Sequence, residues 1–240
     1  MRAATVGTLA VVAALIVPSA ALADGAHSHA PKRKFGRSTS TNWSGYAVPG
    51  SNATHVIGTW TARGVTCAAG ENSWSSPWVG IDGDNSNTVE QIGTDSDCQG
   101  GKPVYYAWYE MYPKSLVSLG LAVHPGDSFT GEVTGGSSGD FILKLTNNTT
   151  KASFQTTQRS KRTRRSSVEW VLEGPSSGLL SNFGSQPFSA ASATIDGSTR
   201  SLGSFGNIEP ITMVNNQGAA RAVPSAISGG TSFSVAWQHG

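Results

Sequence analysis

Most of the chain is written in short runs of strand length. HVIGTWTA, SPWVGIDG, PVYYAWYEMYP, SFTGEVTG, FILKLTNNT, ASFQTTQ, SSVEWVLEGP and SFSVAWQ are alternating or continuously apolar, and Gly, Pro, Asn and Asp separate them. No region repeats apolar residues at the i, i+3, i+4 spacing that would give a helix one apolar face. A chain of this kind buries its apolar side chains by pairing strands and covering one sheet with another. The expectation is therefore an all-β fold, a sandwich or barrel. No internal repeat and no linker divides it, so one domain is expected.

Alternation then sorts the side chains, because successive strand residues face opposite ways. In VYYAWYEMY, Tyr106, Trp108, Glu110 and Tyr112 share a face. In PWVGID, Trp78, Gly80 and Asp82 do, and in TVEQIG the set is Val89, Gln91 and Gly93. The stretch SVEWVLEGP places Glu169, Val171 and Glu173 opposite Trp170 and Leu172. Glutamate is depleted from strands, so faces that mix acids, an amide, aromatics and Gly are candidates for a site. Taken singly, each acid is as well explained by a solvated strand face, and each Trp by a core position.

The first 23 residues read as an export signal: Arg2, the apolar run LAVVAALIV, and Ala21-Leu22-Ala23 as a cleavage site. The run is too short for a convincing membrane span. Residues 24–40, DGAHSHAPKRKFGRSTS, have no periodicity and read as a disordered leader or short propeptide, followed by a domain over 41–240. The expected product is secreted, extracellular, monomeric and free of the membrane once the signal is removed. Outside the cell the two cysteines, Cys67 and Cys98, are expected to pair with each other.

Charge is unevenly placed. Lys32, Arg33, Lys34 and Arg37 form one basic cluster, and Arg159, Lys161, Arg162, Arg164 and Arg165 form another. Apart from these, the chain from Thr41 on carries 7 basic against 14 acidic residues. An acidic body with basic additions lacks the spread positive face of a nucleic-acid binder, so no nucleic-acid partner is expected. The RSKRTRR stretch reads first as a solvated loop, with a cleavable or polyanion-binding loop as the alternative.

Several chemistries are excluded by what is missing. There is no G-x-S-x-G, no HExxH and no phosphate loop. The five histidines are His27, His29, His55, His124 and His239; two of them are in the leader and one is at the end, poor material for a His-based triad. No metal and no cofactor is expected. What remains is carboxylates and amides. A carboxylate can act as general base on water and then as acid, and a carboxamide can stabilise an oxyanion. Composition alone leaves two readings open: a carboxylate-dependent hydrolase, or a carbohydrate-binding or carbohydrate-cleaving sandwich.

Five segments, NWSGYAVPG (42–50), SSPWVGIDGDNSNTVEQIGT (75–94), YYAWYEMYP (105–113), PGDSFTGEV (125–133) and SVEWVLEGP (167–175), resemble the glutamic peptidases, the eqolisin or G1 family. The resemblance implies a two-sheet antiparallel β-sandwich of concanavalin A-like, jelly-roll type, with a cleft across one sheet. It implies an acid-acting endopeptidase that cleaves polypeptide substrates, with Gln91 and Glu169 as the catalytic pair. It also suggests cleft roles for Trp43, Trp78, Asp82, Glu110, Tyr112 and Glu173. Two departures from the family, the very short leader and the basic run, add the expectation of chain cleavage within 31–40 or 158–167. A catalytically silent member of the family is a further possibility. The basic run before Glu169 is foreign to the acidic fungal enzymes.

Overall fold

The computed structural model describes residues 29–36, 38–136, 138–175 and 177–240. The expected signal segment and residues 24–28 of the expected leader lie outside them. The first strands are β1 (Lys34–Gly36), β2 (Thr39–Ser40), β3 (Trp43–Pro49), β4 (Ala53–Thr61), β5 (Ser73–Trp74) and β6 (Ser76–Ile81). There follow β7 (Val89–Gln99), β8 (Lys102–Tyr112), β9 (Val117–Leu119), β10 (Ser128–Gly135), β11 (Asp140–Asn147) and β12 (Ser153–Arg159). The chain continues through β13 (Ser167–Glu173), β14 (Leu179–Leu180), β15 (Ser185–Ile195), β16 (Ser198–Ser201), β17 (Glu209–Val214), β18 (Ala220–Pro224) and β19 (Phe233–Trp237). The helical element among the described residues is a single 3-10 turn at Leu202–Ser204.

These strands form two layers. The front sheet runs β17-β3-β13-β6-β7-β8-β9, all antiparallel. The back sheet runs β12-β11-β10-β4-β15-β19-β18, also antiparallel. Strand β17 also pairs with β18 and so joins the two layers at one edge. The two-sheet sandwich expected from the sequence is the fold observed. Its parallel pairings are β14 with β5 and β17 with β2, two residues each.

Alternation explains the layering. In β10 and β11 one face is buried and the other partly open: Phe129, Val133, Phe141, Leu143 and Leu145 are buried and point inward. Side chains such as Phe129, Phe141 and Phe188 contribute about 1.5–3 kcal/mol each on burial. Front strands β6, β7 and β13 are buried on both faces; on the outer side His29 and Ala30 lie against them. Close approach also has a local cause. Gly45 (φ 142°) lies where an added Cβ would stand 2.2 Å from the Trp170 carbonyl oxygen, so β3 can pack on β13 only with glycine there.

Cys67 and Cys98 are joined in a disulfide, with Cα atoms 5.6 Å apart. The leader differs from expectation. Residues 29–33 are ordered along the outer face of the front sheet, and Lys34–Gly36 pairs with β2. The reason is chemical: His29, Ala30, Pro31 and Lys32 each find polar partners in the cleft that an isolated leader lacks.

Candidate active site

Register across the front sheet sets the site. Glu209, Ala47, Glu169, Gly80, Gln91 and Glu110 are successive cross-strand partners, so their side chains form one row on one face. The next row along that face carries Val171, Trp78, Gly93 and Trp108. Beyond it lie Trp43 with Glu173, and Asp95 with Tyr106. A concave, aromatic-walled surface crossed by carboxylates results.

Glu169 and Gln91 are separated by one strand, and its residue in the row is Gly80. Their backbones are thus two strand spacings apart, about 9–10 Å. An added Cβ at Gly80 would stand 3.0 Å from Trp78 and 3.1 Å from the Gln91 Cβ. Glycine leaves the gap between carboxylate and carboxamide open. Gln91 Nε2 donates to Glu110 Oε2 at 2.8 Å, which fixes the amide plane. The Gln91 carbonyl oxygen and both Glu169 oxygens are buried and make no hydrogen bond among the described residues. Glu169 is fully inaccessible, and burial pushes its pKa well above the usual carboxylate range. Neighbouring Ser167 and the Lys32 charge act in the opposite direction, while Asp82 and Glu90 add to the rise.

Strand phase, unreadable from the sequence between Glu90 and Gln91, is resolved by the pairing. Glu90 stands across from Ile81 and Met111, on the face opposite Gln91. It is buried there, its Oε2 accepts from Thr163 Oγ1 at 3.3 Å, and burial pushes its pKa up to about 8.

The other expected site residues divide. Glu173 accepts from Trp78 Nε1 (3.0 Å), Asn42 Nδ2 (3.1 Å) and the Ala30 backbone N–H (3.0 Å). Trp43 Nε1 donates to the Ala30 carbonyl at 2.9 Å. These residues, with Glu110, face the cleft. Tyr112 lies beyond the Glu169 row and lines a cavity at the cleft's end. Asp82 is buried, with φ 70°, and accepts from Thr163 Oγ1, the backbone N–H groups of Arg164, Arg165 and Ser166, and Ser166 Oγ, all at 2.7–2.9 Å. It organises the loop ahead of β13, and its charge reaches Glu169.

Residues not singled out from the sequence complete the site. Asp95 accepts from Trp108 Nε1 at 2.6 Å and Tyr106 OH at 2.7 Å, and Ser76 Oγ also bonds to it. His29 stacks on Trp108 at 4.0 Å and lies 3.5 Å from both Asp95 and Glu173. Burial opposes charge on both His29 and Asp95. Their mutual attraction prevails, so the histidine is raised well above 6.5 and Asp95 is lowered. Asp97 is raised, first by burial and then by Asp95. Alternation continued through TDSD would have put Asp95 and Asp97 on the Gln91 face; Glu209 carries no such signal, because its place depends on β17 pairing with β3. Lys32 pairs with Glu209 (2.7 Å) and with Asp84.

No cluster of three or more His, Cys, Asp or Glu side chains suited to a metal occurs among the described residues. The fold and site define a class: a β-sandwich with a concave sheet bearing an opposed carboxylate and carboxamide. Comparison with known proteins agrees. The model of the Peptidase A4 family matches residues 41–237. Aspergillopepsin-2 of Aspergillus niger is 32% identical over 189 residues, 67% of this chain and 66% of that protein. Scytalidopepsin B of Scytalidium lignicola is 35% identical over 112 residues, 46% of this chain and 41% of its own. The crystal structure of scytalido-glutamic peptidase with a transition state analog inhibitor superposes with a TM-score of 0.70 at 25% identity, covering 82% of this chain and 98% of that one. The chain belongs to the Peptidase A4 family, the glutamic peptidases or eqolisins. It spans about two thirds and two fifths of the lengths of the two curated relatives.

Proposed function

We propose that the chain is a secreted endopeptidase that hydrolyses polypeptides at acid pH. Glu169 is the general base and acid, and Gln91 stabilises the oxyanion. The observation that carries this reading is the opposition of Glu169 and Gln91 across Gly80, in a cleft already holding a segment of peptide. That peptide is the chain's own leader. Its backbone is held by Glu173 to Ala30 N–H, by Trp43 and Asn42 to the Ala30 carbonyl, by Asn42 to the Pro31 carbonyl, and by the Gly83 carbonyl to Lys32 N–H. A surface that grips main-chain amides favours peptide over sugar as substrate. The same placement supports reading residues 24–40 as a short propeptide that must leave before substrate enters.

In the reaction, a water between the two side chains would give its proton to ionised Glu169 as its oxygen attacks the scissile carbonyl. Gln91 keeps one N–H on Glu110, leaving the other N–H for the developing oxyanion. Protonated Glu169 then delivers its proton to the leaving amine, and the C–N bond breaks. In the leader-covered cleft, burial disfavours the ionised base; hydration on leader release lowers that penalty.

The test is digestion of a denatured protein at acid pH with product mapping. Glu169→Gln and Gln91→Ala should each lower kcat/KM by about 10²–10⁴-fold while leaving the folded circular-dichroism spectrum intact. Full activity in folded Glu169→Gln would refute the assignment.

A further inference from the structure

The basic run that opens onto β13 has no part in the chemistry above. A cavity of about 490 Å³ lies past Tyr112 and Pro113 at the end of the cleft, and its rim carries Lys114, Arg159, Lys161 and Arg162. Around it, the nearest acids are already engaged or buried: Asp140 pairs with Arg159 at 3.5 Å, and Glu90 lies beneath Thr163. Lys114, Lys161 and Arg162 make no ion pair among the described residues.

This loop is not a loose surface insertion. Asp82 gathers five hydrogen bonds from Thr163 through Ser166. The Arg165 and Ser166 carbonyls accept from the Ala53 and Gly50 backbone N–H groups, both at 2.9 Å. The backbone just after the cations is therefore tied to Asp82 and to the β3–β4 turn, and it leads directly into β13, which carries Glu169. Elsewhere the cleft is acidic: Asp95 and Glu173 lie at the His29 end, Glu209 in the Glu169 row, and Asp84, on the loop that leads to Thr88 of the cavity, is paired with Lys32. Asp95 and Glu173 at the His29 end thus face, along the cleft, a rim carrying Lys114, Lys161 and Arg162.

We propose that the cavity bordered by Tyr112, Pro113, Lys114, Arg159, Lys161 and Arg162 is a substrate subsite for acidic side chains, so that the enzyme favours peptides with Asp or Glu flanking the cleaved bond. The inference rests on the endopeptidase reading and adds to it a substrate class. Charge complementarity carries it: a cationic pocket on a rigid root, contiguous with the catalytic row, set against an otherwise acidic cleft. At acid pH free Asp and Glu side chains titrate near about 3.9 and 4.3, and adjacent cations favour their ionised form. The pocket thus retains its ligand's charge where solution alone would begin to remove it.

Two fluorogenic peptides sharing one cleavable core, with a short flanking run of Glu in one and Gln in the other, provide the test near pH 5. At low salt the Glu peptide should have a kcat/KM about tenfold higher, equivalent to about 1.4 kcal/mol. The ratio should fall toward unity in Arg159→Gln/Lys161→Gln/Arg162→Gln, and also at high salt. Lys114→Gln, on the opposite rim, should lower it in part. An equal charge loss at the exposed residues Arg63, Lys102 and Lys151 should leave the ratio as in the parent. A ratio of one in the parent overturns the proposal, as does a ratio unchanged in the pocket variants or equally lost in the remote one. If neither peptide is cut, the endopeptidase reading fails, and anisotropy with the same peptides decides the pocket. Preferential binding of the Glu peptide that the triple variant loses supports it; equal binding overturns it.

Discussion

Replacing Glu90 by glutamine should stabilise the protein increasingly as pH rises. Glu90 is fully buried, its Oε1 has no hydrogen-bond partner among the described residues, and its pKa is pushed up to about 8 from an ordinary 4.5, chiefly by burial. Between those values the folded protein holds a proton that the unfolded chain has released. Folding stability therefore falls with pH across that window, by about 1.4 kcal/mol per pH unit. The penalty is absent below about pH 4.5, accumulates to about 5 kcal/mol, and is complete above about 8. Glutamine is close in shape, keeps an oxygen for Thr163 Oγ1, and has no charge to desolvate. Urea unfolding at several pH values from 4.5 to 8 reads the difference directly. The two proteins should agree near the acid end and diverge by several kcal/mol near the alkaline end. Parallel stability curves would refute the placement of Glu90 as a buried, protonated acid.

Two further outcomes test the cleft. Gly80→Ala puts a methyl group against Trp78 and the Gln91 Cβ at 3.0–3.1 Å, so kcat/KM should fall at least tenfold with little loss of thermal stability, measured by peptide hydrolysis and melting. His29→Ala removes the stack on Trp108 and the contacts to Asp95 and Glu173, so the uncut chain should hydrolyse peptide faster near pH 5 than the parent does. The sign follows from the pair. Raised His29 contributes fully below its unfolded value of about 6.5 and is lost as pH rises through its folded value; lowered Asp95 contributes above about 3.9 and is lost as pH falls through its own. The leader of the parent should therefore hold best between those limits and loosen under stronger acid, which limited proteolysis across pH would follow; uniform leader accessibility from pH 3 to 6 would contradict it.

By itself the sequence determined the layer architecture and the faces. Alternation in VYYAWYEMY, PWVGID and VEWVLE is a property of a few adjacent residues, and it put Trp78, Gly80, Glu110, Glu169 and Glu173 on faces that the register later joined. It also made the disulfide partners plain, because Cys67 and Cys98 had no other thiol to choose. Only the tertiary structure decided what those faces meet. Pairing of β13 with β6 and β6 with β7 set Glu169 opposite Gln91 and turned Glu90 away, a choice of register made by strands far apart in sequence. Glu209 entered the Glu169 row through β17, and Asp82 became the anchor of the loop at Thr163–Ser166. The leader shows the same division. Its composition reads as unstructured because nothing local rewards order; the buried carboxylates Asp95 and Glu173, supplied by strands that pack only when the sandwich is closed, give His29 and Ala30 the partners that hold it.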